Sequence, residues 1–192
     1  MVCLSGFGVV LESGVDAWLV SSVNSYALDH SWFAATAVFS ASTLPDVMVA
    51  LLILYVATRS DRPVRLLLLV LVVIAAAWLV ARGFQSFWLR PRPFEAGVAQ
   101  ALLPHRGGGS FPSTHASVVF AVGWLGVVLR APWRWVGLWW MMGGIVVTAR
   151  VVCALHYPTD LVGGLLVGGA CAVVGFAAAR RAGLFQRSGS RP

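Results

Sequence analysis

The sequence predicts an all-α, polytopic membrane bundle of about five to six transmembrane helices with an amino-terminal amphipathic helix. Three observations predict it. Hydrophobic residues make up 59% of the 192 residues and charged residues only 11%, with a mean hydropathy of +0.83, whereas soluble domains carry about 25% charged residues. Apolar runs long enough to cross a bilayer recur along the chain. The polar residues that remain are concentrated at the ends of those runs.

The elements follow in order. In the first thirty residues Leu11, Val15, Trp18, Leu19, Ser22 and Tyr26 recur at helical spacing, interrupted by Glu12, Asp16, Asn24 and Asp29. This pattern is that of an interfacial helix over 1–30 and not of a span. A signal peptide is not expected, because no basic residue precedes Arg59. Five spans are expected: Trp32 to Ala57, with Pro45 and Asp46 inside it; Val64 to Trp88; the short Thr114 to Leu129; Trp133 to Val152; and Thr159 to Ala179. Residues 180–192, rich in Arg, Gly and Ser, read as a flexible cytoplasmic tail. One domain over 1–192 is expected.

All fourteen basic residues are arginines, giving a net charge of +7. They are scattered between apolar runs and form no basic face, so no nucleic-acid partner is expected. The partner is the bilayer itself. With five spans, Arg59, Arg62, Arg65, Arg130, Arg134, Arg180, Arg181, Arg187 and Arg191 fall on one side, and Arg82, Arg90, Arg92, Arg106 and Arg150 on the other. The excess of arginine on the first side predicts a cytoplasmic carboxyl terminus. Cys3, Cys153 and Cys171 have no metal-binding or disulfide spacing.

Three blocks then stand out: Arg92-Pro93, Pro112-Ser113-Thr114-His115, and Arg150 with His156 and Asp160. On the five-span topology all lie at the outward ends of spans. Ionisable groups so close to a bilayer are functional candidates, and the set has a chemical logic. Arginines grip phosphate oxygens in bidentate fashion. One histidine can attack phosphorus while a carboxylate orients it, and another can protonate the leaving oxygen. Ser113 is a natural N-cap for the third span, whose first N–H groups also suit an anion. Asp160 doubles as an acid at a helix N-terminus. No cluster of carboxylates or histidines demands a metal, so no cofactor and no metal are expected.

These blocks resemble those of the type 2 phosphatidic acid phosphatase superfamily: Lys-x6-Arg-Pro, Pro-Ser-Gly-His, and Ser-Arg-x5-His-x3-Asp. The run Arg90-Pro91-Arg92-Pro93-Phe94, the run Leu102 to His105 and the stretch Ser110 to Ala116 are similar to the bacitracin-resistance type of undecaprenyl-diphosphate phosphatase, as is the stretch Asn24 to His30. The resemblance implies a single integral-membrane phosphatase domain in a bacterial inner membrane, with the site facing the periplasm or exterior. It implies His156 as nucleophile, Asp160 as its orienting acid and His115 as general acid. Arg92, Arg150, Ser113 and Thr114 would hold phosphate. The implied substrate is a polyprenyl or phospholipid phosphate, undecaprenyl diphosphate first. A phosphatidylglycerophosphate or phosphatidate phosphatase is the alternative within the family, and a non-catalytic lipid transporter or scaffold the alternative outside it.

Three departures stand in the motifs: Gln85 at the lysine position, Thr114 at the glycine position, and Ala149 before Arg150. Arg90 or Arg82 is expected to supply the lysine's charge, with Arg90 and Gln85 facing the phosphate. The remaining features have plainer readings. Gly107–Gly109, after His105 and Arg106, read equally as a head-group loop or a flexible connector. Asp46 either lines the lipid cleft or hydrogen-bonds within the bundle, and His30 is an interfacial residue. Trp133, Trp135, Trp139 and Trp140 form an interfacial belt with packing, and Gly163, Gly164, Gly168 and Gly169 allow close helix approach.

Overall fold

A computed structural model describes residues 14–59, 63–105 and 107–185. It contains seven helices: α1 (Val15–Asp29), α2 (Ser31–Ser42), α3 (Leu44–Arg59), α4 (Pro63–Phe87), α5 (Thr114–Val128), α6 (Trp133–Val152) and α7 (Pro158–Arg181). The expected second to fifth spans correspond to α4 to α7 with ends within two residues. Residues 1–13, Arg62, Arg106 and the end of the tail lie outside the described residues.

Among the described residues three helices, α4, α6 and α7, are long and apolar enough to cross a membrane. The first expected span is broken: α2 and α3 together meet that test but bend by 43°. Thr43 marks the break, and Pro45 explains it. A proline has no N–H for the carbonyl four residues back, which here is that of Ala41, and its ring crowds that turn. Helix α5 is apolar but only 15 residues long.

Helix α5 is central, packed on α7, α6, α4 and α3. Its short length suits that place, since little of it faces outward: Val119, Val122 and Leu125 are buried with Met48, Leu52, Val70, Val73, Trp139 and Val146. The outer helices turn apolar residues to both sides. Val64, Leu68, Val72 and Leu79 of α4, and Leu166 and Val174 of α7, are all more than half exposed. In water such surfaces would associate; in a bilayer they face lipid.

Glycines bring α5 and α7 into backbone contact. A Cβ on Gly164 would lie 2.4 Å from the Ala116 Cβ, and one on Gly168 would lie 2.4 Å from the Ser117 carbonyl oxygen. This is the close approach expected of a small-xxx-small pair. It matters for the site, because the start of α5 carries Ser113 and His115, and the start of α7 carries Asp160. Of the tryptophans, Trp133 is 81% exposed at the start of α6 while Trp139 is fully buried, against the ring of Tyr55.

Helix α1 lies against α6, α2 and α7. Its buried face is Asp16, Val20, Asn24 and Ala27, while Val15, Trp18, Leu19 and Tyr26 point outward. Asp16 and Asn24 therefore face protein, not water, and each has polar partners there. Asn24 Nδ2 donates to the carbonyls of Gln100 and Val152, both at 2.9 Å, and its Oδ1 accepts from Gln100 N at 3.0 Å.

Candidate active site

The corner between α6 and α7 holds His156. Helix α6 ends in a Schellman arrangement: Leu155 N donates to the Arg150 carbonyl and Ala154 N to that of Val151. Ala154 takes the left-handed conformation, φ 57°, that glycine usually supplies at this position. The turn sends the chain back into the bundle, and His156 is 0% exposed. Pro158 then starts α7 at a position where its missing N–H costs nothing. Asp160, in that first turn, reaches back with Oδ2 to Tyr157 N at 2.8 Å, so it serves the helix end as well as the site.

Both ring nitrogens of His156 have partners, and together they set its tautomer. Nδ1 lies 3.0 Å from the Ser110 carbonyl oxygen and 3.5 Å from Asp160 Oδ2. A carbonyl oxygen only accepts, so Nδ1 carries the proton. Nε2 lies 3.0 Å from Arg92 Nη1, a group that only donates, so Nε2 presents its lone pair. Burial pulls the His156 pKa down to about 4, with the Arg92 and Arg150 charges acting in the same direction and the hydrogen bond to Asp160 against them. The ring is therefore neutral at pH 7.

Asp160 is fully buried. Its Oδ1 accepts from Arg90 Nη1 at 2.8 Å, and Oδ2 accepts from the Ser110 hydroxyl at 2.5 Å. Ser110 opens the stretch Ser110 to Ala116 that carries the resemblance but was given no role there, yet it touches both His156 and Asp160. Its role depends on how the α4–α5 connection folds back; Ser110 N donates to the Arg90 carbonyl at 2.8 Å.

The arginines take separate places. Arg92 is buried, with Nη1 also donating to the Leu155 carbonyl at 2.9 Å and Nη2 to that of Gly109 at 3.3 Å. Among the described residues its Nε has no hydrogen-bond partner. Arg150, near the end of α6, donates from Nη1 to the Ala41 carbonyl at 3.2 Å. That carbonyl is the one Pro45 leaves without its helical donor, so the bend in α2–α3 supplies the acceptor that orients Arg150. Its Nε likewise has no partner among the described residues. Such buried, incompletely satisfied guanidinium groups are costly unless an anion joins them.

Two expectations for the lysine position need correction. Arg90 does not face outward toward a ligand. Nη2 pairs with Asp16 Oδ2 at 3.0 Å, Nη1 with Asp160 and Thr159, and the guanidinium lies 4.1 Å from the centre of the Tyr157 ring. Two buried carboxylates draw it behind the site. Gln85 is buried too and donates from Nε2 to the Pro112 carbonyl at 2.7 Å. It anchors the second block. Arg82 is exposed and stacks over Trp78.

Ser113 is the N-cap of α5, its hydroxyl accepting from Ala116 N at 3.4 Å. Its own N–H donates to the Asp160 carbonyl at 3.1 Å, tying the second block to the third. His115 is partly exposed, and among the described residues its Nδ1 has no hydrogen-bond partner. It lines a cavity of about 260 Å³ with Thr114, Val118, Ser42, Pro45, Asp46 and Trp78. Asp46 thus borders the same cavity as His115. Gly109 is not slack: a Cβ there would lie 2.5 Å from the Gln85 carbonyl oxygen and 2.8 Å from that of Trp88. Among the described residues no group of three or more His, Cys, Asp or Glu could hold a metal ion.

A helical membrane bundle with a buried His–Asp pair, arginines and a capped helix start at one end is a phosphate-handling architecture. The model of the PAP2 superfamily matches residues 65–183, and the chain belongs to that superfamily of phosphatases. Among curated proteins it is 25% identical over 150 residues to YbjG of Escherichia coli (strain K12), provisionally named an undecaprenyl-diphosphatase, covering 78% of this chain and 75% of that one. It is 31% identical over 90 residues to the undecaprenyl-diphosphatase BcrC of Bacillus subtilis (strain 168), covering 46% and 44%. The fold is that of the crystal structure of Aquifex aeolicus LpxE, with a TM-score of 0.64 and 18% identity over 85% of this chain and 96% of that one.

Proposed function

We propose that this protein hydrolyses undecaprenyl diphosphate to undecaprenyl phosphate and inorganic phosphate. The observation that carries the proposal is the tautomer of His156: a neutral, buried imidazole with its Nε2 lone pair 3.0 Å from an arginine. A diphosphate drawn in by Arg92 and Arg150 brings its terminal phosphorus to that lone pair. The names of the similar proteins support the polyprenyl diphosphate as the lipid.

In the proposed reaction His156 Nε2 forms a bond to the terminal phosphorus, and the bond from phosphorus to the bridging oxygen breaks. The electrons go to that oxygen, and His115, which takes up a proton when the diphosphate's negative charge binds beside it, donates that proton to it. Asp160 and the Ser110 carbonyl stabilise the charge that builds on the imidazole. Arg92, Arg150, Ser113 and the first N–H groups of α5 balance the equatorial oxygens. Water then attacks the phosphorus of the phosphohistidine, losing its proton to His115; the P–Nε2 bond breaks, its electron pair returns to Nε2, and inorganic phosphate leaves. The cavity beside His115 accommodates the departing lipid phosphate.

We place the site on the outer membrane face, because the arginine excess falls at the other end of the spans. The test of substrate is phosphate release by purified protein from polyprenyl diphosphate, phosphatidylglycerophosphate, phosphatidate and diacylglycerol diphosphate. The polyprenyl diphosphate should be preferred; preference for a glycerolipid overturns the assignment. For topology, a cysteine at Gly108 in a cysteine-free variant should react with an impermeant thiol reagent on intact cells. Reaction only after lysis would put the site inside.

A further inference from the structure

The geometry points to Asp16, in helix α1, as a positioning residue for the carboxylate behind the nucleophile; this inference rests on the proposed role of His156. Asp16 lies outside the three blocks and touches neither His156 nor any group proposed to hold phosphate. It acts on Arg90. Asp16 Oδ2 accepts from Arg90 Nη2 at 3.0 Å, and from the hydroxyl of Thr159. Arg90 Nη1 donates to Asp160 Oδ1 at 2.8 Å and to Thr159 Oγ1 at 2.7 Å. The side chains of Asp16, Arg90 and Asp160 are 10%, 6% and 0% exposed, so solvent screens none of these contacts strongly.

One guanidinium therefore lies between two carboxylates, and the division of its N–H groups has a consequence. A guanidinium offers a fork of donors that matches a single carboxylate in bidentate fashion. Asp16 takes one prong. Asp160 receives the other, on Oδ1, and keeps Oδ2 for the Ser110 hydroxyl, Tyr157 N and the His156 ring. Without the Asp16 charge, the guanidinium loses one of its two carboxylate attractions, and the pull toward Asp160 strengthens and draws Oδ2 away from His156 and Ser110. The Tyr157 ring, its centre 4.1 Å from the guanidinium carbon, adds a further attraction that holds Arg90 between the two carboxylates.

Helix α1 is held in place to do this. Asn24, two helical turns beyond Asp16 on the same buried face, is bound at both ends of its amide to Gln100 and Val152. The amino-terminal helix is thus a strap across the back of the site, its polar face inward and Trp18 and Tyr26 outward.

The test uses the full chain in detergent with polyprenyl diphosphate. Asp16→Asn should lower kcat about tenfold to a hundredfold with KM within threefold, the pattern of a lost transition-state contribution. Rapid-quench measurement should place the loss in phosphohistidine formation. Arg90→Met should cost at least as much, and the double variant should be no worse than Arg90→Met alone. Asp16→Glu should recover part of the loss. Wild-type kcat in Asp16→Asn, or additive losses in the double variant, overturns the inference. Should Asp16→Asn fail to fold, Thr159→Val removes one hydroxyl from the same network and should lower kcat a fewfold at constant KM; unchanged kcat there also overturns it. Wild-type protein that releases no phosphate would instead remove the reading of His156.

Discussion

The two sides of the site are built differently. On the α6–α7 side, His156 is fully buried with both ring nitrogens engaged, and the oxygens of Asp160 meet Arg90, Ser110 and Tyr157. On the side formed by the start of α5 and the α2–α3 bend, His115 has a partnerless Nδ1 and borders a cavity of about 260 Å³ with Asp46 and Trp78. The contrast fits the division of labour proposed for the two histidines. A nucleophile gains from being held before the substrate arrives, since orientation is then already set. A group that must give a proton to a departing lipid needs space and an unsatisfied ring.

The contrast can be broken most completely at His156. The variant His156→Ala should lower turnover by about 10⁴-fold or more, and labelled substrate quenched during turnover of the wild type should leave acid-labile phosphate on His156. Turnover by His156→Ala within tenfold of the wild type would falsify the nucleophile.

The next test compares two glycines of the α4–α5 connection. Gly109 belongs to the fixed side: its carbonyl accepts from Arg92 Nη2, and an added Cβ meets two backbone carbonyls. Gly107 meets only the end of the Glu95 side chain, Oε1 at 2.3 Å. Gly109→Ala should therefore lower kcat/KM about a hundredfold or cost about 1–3 kcal/mol of stability, whereas Gly107→Ala should stay within about threefold. Equally small effects on phosphate release and thermal unfolding would show that the connection is uniformly slack, and equally large ones that it is uniformly fixed.

A smaller effect is expected at the bend. Pro45→Ala returns an N–H to the Ala41 carbonyl, which then competes with Arg150 for that acceptor. The outcome should be a rise in KM of about fivefold to tenfold with a lesser change in kcat. A proline whose only role is to bend α2–α3 away from lipid would leave KM untouched.

The smallest effect concerns pH. The folded pKa of His156 is depressed to about 4 from 6.5, so protonation, which removes the Nε2 lone pair, begins only well below neutrality. The acid limb of kcat/KM should lie below pH 6, and it should move upward in Arg92→Gln as one lowering charge is lost. By linkage the same depression costs stability only as pH falls below 6.5, the unfolded value, with the cost growing until about pH 4. An acid limb at or above pH 6.5 would mean a His156 that is solvated in the free enzyme.

Much of the architecture was legible in the sequence, for reasons tied to composition. Spans are read from runs of apolar residues, because lipid accepts little else, and α4, α6 and α7 begin and end close to where those runs do. The bend in the first span was less legible. Pro45 was visible within it, but whether a proline bends a helix or only interrupts its ladder depends on what takes up the freed carbonyl, and here that is Arg150, more than a hundred residues away.

The same division holds at the site. By itself the sequence determined which residues are too costly to stand near a bilayer without purpose: Arg92, Arg150, His156, Asp160, Ser113 and His115. A four-residue separation kept His156 and Asp160 close, although His156 stands in the corner before the N-cap Tyr157 and outside α7. Only the tertiary structure decided the partners that come from elsewhere in the chain. Ser110 sets the His156 tautomer, Asp16 shares Arg90 with Asp160, and Gln85 turns to Pro112. Those contacts join α1, the α4–α5 connection and the start of α7. A hydrogen bond depends on where two atoms lie in space, and spacing along the chain reports that only for neighbours.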